Sequence, residues 1–166
     1  MRRRKTMSDQ EKDFKRLYMS ELVTALVVGS LLYMTSKTNG LGFDLRLYLP
    51  CGLLIFIILQ NAGYWYYRQQ QKSNPGGDYR WVIPTFSRLK RINPFLLVIY
   101  PLYLIGLLLF YRPALWAPVN IFGLLLYGFS IVEYFNCYYF SFQLANLKEK
   151  APTDLNLEIQ DFLHSR

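Results

Sequence analysis

Four long stretches almost free of charge interrupt an otherwise polar chain, at about 17–36, 47–67, 92–111 and 115–142. No charged residue occurs between Leu47 and Tyr67, nor between Ile92 and Tyr111. The run Leu53-Leu54-Ile55-Phe56-Ile57-Ile58-Leu59 would be apolar on every side of a helix. A helix of a soluble bundle keeps a polar stripe toward water, and a chain of 166 residues is too small to bury four all-apolar helices. A bilayer is crossed by about 20 mostly apolar helical residues. The pattern therefore predicts an all-α integral membrane protein with four transmembrane helices, paired as two antiparallel hairpins. Residues 1–150 would hold the transmembrane domain and residues 151–166 a short cytoplasmic tail.

The connecting segments carry turn and interface signals. Residues 1–13 read as weakly helical or irregular, with Asp13 placed to cap the first helix. Gln69 to Asp78 is polar and rich in breakers, and so reads as a loop. Tyr79 to Phe86 mixes aromatics with Arg80, which suits the headgroup level. Ser87 is a candidate cap and Asn93-Pro94 a candidate helix start or kink. Pro101 should bend the third span. The short segment from Arg112 to Ala117 requires a tight turn between spans three and four. In the tail, Leu155, Ile159, Phe162 and Leu163 fall on one helical face and Asp154, Glu158 and Asp161 on another. An amphipathic acidic helix is expected there, either docked on the basic middle loop of its own chain or a neighbour, or left as a solvated tail.

Charge gives the spans a direction. Lysine and arginine number seven before the first span, two in the first loop, six in the middle loop, one in the third loop and three in the tail. Positive flanks stay on the cytoplasmic side, so both termini and the middle loop are expected inside a multi-pass cell-membrane protein. The net charge of +8 is accounted for by flanks facing anionic lipid, and no aromatic–basic nucleic-acid motif accompanies it. Cys51 and Cys137 lie near opposite ends of their spans and form no metal or redox pair.

The halves echo each other at an offset of 72 residues: Phe14-Lys15-Arg16-Leu17 recurs as Phe86-Ser87-Arg88-Leu89, and Tyr66-Tyr67 as Tyr138-Tyr139. The same offset sets Glu21 over Asn93 and Asn61 over Glu133. Such an echo points to a parallel pseudo-repeat.

The scarce polar residues within the spans are the candidate chemistry. Glu133 stands alone among acids in the fourth span, at a depth of roughly 26 Å from Trp116 on the outer side. Asn136 lies one turn on, Gln60 and Asn61 reach a similar depth in the second span, and Glu21 and Asn93 mark the inner edges of the first and third. These six residues are expected to form one polar cluster on the cytoplasmic side. Two roles remain open: hydrogen bonds pinning the helices, or a site for a cation, proton or polar ligand. Near the same level Tyr64, Trp65, Tyr67, Tyr134 and Tyr138 form either an interfacial belt or a cleft.

Neither a phosphate-binding glycine loop nor a zinc-protease motif is present, and His164 is no base for a catalytic triad. No catalytic residue, metal site or cofactor is assigned. The expected function is a non-catalytic, partner-binding or regulatory membrane subunit, with lipids and a second copy or partner protein as its contacts. The alternatives are transport through an oligomer around Glu133, and an intramembrane enzyme or lipid-binding protein.

Overall fold

A computed structural model describes residues 7–38, 44–110, 118–141 and 151–165. Four long helices dominate: α1 (Met7–Thr38), α2 (Leu45–Ser73), α3 (Val82–Phe110) and α4 (Pro118–Tyr138). All four are long and apolar enough to cross a membrane. A two-residue antiparallel ladder follows, pairing β1 (Phe140–Ser141) with β2 (Ala151–Pro152), and the chain ends in α5 (Asp154–His164).

Several boundaries differ from the sequence expectation. α1 starts at Met7, so Asp13 lies inside the helix and not at its start. α2 runs on to Ser73 through the glutamines that read as loop. α3 begins at Val82 and passes unbroken through Ser87, Pro94 and Pro101. Flanking turns continue where the side chains keep packing: Tyr67, Val82 and Phe86 are buried in the main apolar cluster and hold these extensions in helical register. Conversely, the fourth helix ends at Tyr138, short of the expected 142, because the chain there turns into the ladder. The turn expected between spans three and four, at 112–117, lies outside the described residues.

α2 is the hub. Its buried residues Leu47, Pro50, Cys51, Leu54, Ile57, Ile58, Asn61 and Tyr64 recur every three or four positions, a helical stripe facing other helices. Half of its most apolar window is buried, against 6% for α1. α1 packs along one side of α2 in the opposite direction: Tyr48 meets Ser36, Asn61 meets Glu21, and Trp65 stacks on Phe14. α4 packs along another side in the same direction as α2, with Ser130 against the Pro50 carbonyl and Tyr138 against Gln60. α3 touches α2 through Asn93 against Gln60 at the middle of α2 and through Tyr100 against the Arg46 carbonyl at its start. The faces left over carry Leu26, Leu102, Leu109 and Phe110, all well exposed. Outward apolar surface of this extent suits lipid and not water.

Two caps explain how the ends are fixed. Asp44 accepts the Arg46 backbone N–H at 2.9 Å, starting α2. Its carboxylate also takes the Arg46 guanidinium in a forked pair, at 2.9 Å to Nε and 2.6 Å to Nη2, which holds the Asp44 carboxyl below its usual range. Thr153 caps α5 by accepting the Asn156 N–H at 3.2 Å. The same hydroxyl donates to the Cys137 carbonyl, tying the start of α5 to the end of α4.

Candidate functional site

The polar residues singled out within the spans come together in two groups. In the first, Gln60 and Asn93 exchange side-chain amide bonds: Asn93 Nδ2 donates to Gln60 Oε1 at 2.8 Å, and Gln60 Nε2 donates to Asn93 Oδ1 at 3.2 Å. Tyr138 Oη donates to the same Gln60 oxygen at 2.6 Å. All three side chains are buried, so one closed network joins α2, α3 and α4. In the second, Asn61 Nδ2 donates to Glu21 Oε1 at 2.8 Å, linking α2 to α1. Glu133 lies within electrostatic range of Glu21. Asn136 donates to Glu133 Oε2 at 3.4 Å along α4. The 72-residue echo would set Asn93 opposite Glu133, as Glu21 is opposite Asn61. Asn93 instead bonds Gln60, and the echo does not extend to side-chain pairing.

The closed network makes a quantitative prediction. Gln60→Leu leaves the Asn93 amide and the Tyr138 hydroxyl buried without partners, each costing about 1–3 kcal/mol. The double variant Gln60→Leu/Asn93→Leu orphans only Tyr138. Thermal unfolding in detergent should therefore show the double variant more stable than Gln60→Leu alone. Equal or additive losses would remove the network reading.

The aromatic residues have a different setting. Tyr64, Tyr67, Tyr134 and Tyr138 are buried in the main apolar cluster with Val82, Phe86 and Leu97. Trp65 is partly buried and stacks on Phe14 at 5.9 Å. The four tyrosines form a floor, and α5 lies on it: Leu155 and Ile159 are 1% and 2% exposed and belong to the same cluster. Phe162 is half-buried and Leu163 is exposed, so the helix seats on the first part of its apolar face. Burying two such side chains contributes about 1.5–3 kcal/mol each.

Polar contacts orient α5. Glu158 pairs with Arg68 at the end of α2, and Lys90 Nζ donates to Asn156 Oδ1 at 2.8 Å while lying over the Tyr139 ring. Burial pushes the Glu158 carboxyl above its ordinary value, with Arg68 opposing. Tyr64 Oη and Glu158 Oε2 are both buried and close enough to interact. Sequence reasoning did not find Lys90, Thr153 or Tyr138's link to Gln60. The Pro-Thr-Asp start of the tail was a signal for the Thr153 cap; the other two depend on helix rotation, which no local pattern records.

Beside α5 runs an open groove of about 720 Å³. Tyr67 and Gln71 of α2, Tyr79 of the intervening turn, Ile83 of α3, and Asp161 and Phe162 of α5 are among its walls. Tyr79 is anchored by donating to the Gln70 carbonyl at 3.0 Å, which fixes the turn that closes one end. Two other recesses are apolar and lie between the long helices, one beside Cys51 and Leu126 and one over Gly52 and Leu96. Cys51 and Cys137 are buried free thiols, and among the described residues no group of three His, Cys, Asp or Glu side chains could hold a metal ion. Compared with protein-family models, curated proteins and solved structures, the chain matches none.

Proposed function

We propose that this chain is a non-catalytic, multi-pass membrane protein that binds a partner protein on its cytoplasmic side. In this reading the four long helices cross the bilayer as two antiparallel pairs. The lysine and arginine excess supports both termini and the 68–91 segment being inside. The observation that carries the reading is the groove: it is walled by the ends of α2 and α3 and by an α5 held in place through Leu155, Ile159 and Glu158. A shaped recess outside the spans, with a fixed helix as one wall, suits recognition. Transport has less support, because Gln60, Asn93 and Tyr138 satisfy one another.

A photoreactive side chain at Ile83, in the groove, is expected to give a discrete adduct in native membranes. The same group at Leu102, on an exposed apolar face, should give only lipid labelling. Replacing residues 152–166 by a Gly/Ser stretch should abolish the Ile83 adduct. If Ile83 and Leu102 label alike, the partner-binding reading is withdrawn.

A further inference from the structure

We infer that the groove beside α5 accepts a basic peptide segment, one that inserts a lysine or arginine between the aromatic walls and Asp161. This inference rests on the partner-binding reading and specifies its chemistry. The charge balance of the walls is the first argument. Arg80 is held by Asp78, through Nε at 3.1 Å and Nη2 at 3.3 Å. Glu158 is held by Arg68. Asp161 is exposed and makes no ion pair among the described residues. The groove's uncompensated charge is therefore negative. Asp154 and Glu158 stand on the same helical face as Asp161 and extend the acidic stripe.

This sign runs against the rest of the molecule. The chain carries a net charge of +8, and its lysines and arginines crowd the flanks of the spans. Anionic lipid and acidic partners are drawn to those flanks. A cationic segment is disfavoured by those basic flanks and favoured by the acidic face of α5, so charge helps steer it to this wall.

The apolar lining is the second argument. Tyr67, Tyr79 and Phe162 present aromatic carbon beside the carboxylate, with Tyr67 and Tyr79 edge to face at 5.7 Å. Aromatic faces attract ammonium and guanidinium groups, and they cover the methylene stems that lysine and arginine carry. Ile83 and Pro84 continue the apolar wall. The recess is open along its length, a shape that fits an extended chain; small-molecule sites enclose most of their ligand.

The test uses the full chain in nanodiscs of uncharged phosphatidylcholine, so that lipid does not capture the probe. A fluorescein-labelled octa-arginine peptide is titrated and read by anisotropy, with octa-glutamate as the opposite-charge control. Saturable octa-arginine binding is expected. Asp161→Lys should weaken it at least about tenfold and Phe162→Ala several-fold, and added salt should weaken it further. Thiol labelling of Cys137, buried under the start of α5, verifies in each variant that α5 stays docked. Absence of saturable binding, or equal binding by docked Asp161→Lys, overturns the inference. The Ile83 adduct separates the two ideas: an adduct without peptide binding keeps the partner reading and discards the basic segment. Peptide binding without an adduct keeps the groove chemistry and discards the partner reading.

Discussion

Gly123→Ala should destabilise the protein by about 3 kcal/mol, the upper end of what overpacking costs. A methyl group at this position would sit 2.3 Å from the Arg46 carbonyl oxygen and 2.3 Å from the Tyr100 hydroxyl. Those two atoms are themselves hydrogen-bonded, Tyr100 Oη donating to Arg46 O at 3.2 Å. The added carbon therefore collides with a backbone carbonyl at the start of α2 and wedges into the contact that brings α3 to α2. Tyr100 is fully buried and has no room to swing away. Relief requires α4 to move off α2, which loosens the packing around Ser130 and Pro50 as well. Gly128→Ala, where a methyl group meets nothing within 4 Å, is the control. It should be neutral or gain up to about 1 kcal/mol from helix propensity. Thermal unfolding in one detergent compares the two. Adding Tyr100→Phe to Gly123→Ala should recover part of the loss, since it removes one of the two clashing oxygens. A Gly123→Ala protein that melts with the wild type would show that the helices do not meet at this glycine.

The contrast between these glycines shows what the sequence makes legible. Charge-free length marks four helices without help from the fold, because the bilayer requirement acts on a contiguous stretch. The level along the helices shared by Glu21, Gln60, Asn61 and Asn93 is also readable, since helical rise is constant. What rotation decides is not readable. Gly52, Gly106 and Gly128 look like Gly123 along the chain, yet a methyl group at those three meets open space. Gln60 and Asn61 are neighbours, and the 100° between them sends one to α3 and the other to α1. The aromatic residues near the inner ends read as a belt or cleft because their composition fits the interface. Their burial follows from α2, α3 and α4 packing on one another and from α5, a segment remote in sequence, joining the same cluster. The amphipathic pattern of α5 was plain, and Thr153, Arg68 and Lys90 then determine where it docks.

Leu155→Asp should release α5. Leu155 is 1% exposed among tyrosines and Val82, so truncating it would already cost about 2–5 kcal/mol, and a carboxylate there adds a desolvation penalty. The helix has little else to hold it: Ile159 and the Lys90–Asn156 bond, while the Glu158–Arg68 pair orients it and only partly offsets the cost of burying the carboxylate. Cys137 reports the event, because it is buried in the same cluster and its carbonyl accepts the Thr153 hydroxyl at the start of α5. Its labelling by a water-soluble maleimide should rise at least about tenfold, a change worth about 1.4 kcal/mol of opening. Cys51, buried on the far part of α2, should keep its rate and serves as the internal reference. Leu163→Asp, at a residue 46% exposed, should leave both thiols as they are. The ratio of the two rates also carries a pH dependence. Burial raises Glu158, so docked α5 holds that proton more tightly than released α5 does. Docking is then firmest below the ordinary carboxylate value and loosens as pH climbs through the raised one. Relative Cys137 labelling in the wild type should accordingly rise across that interval, and in Glu158→Gln it should stay flat. Labelling that ignores both Leu155→Asp and pH would mean that α5 is not what covers the tyrosine floor.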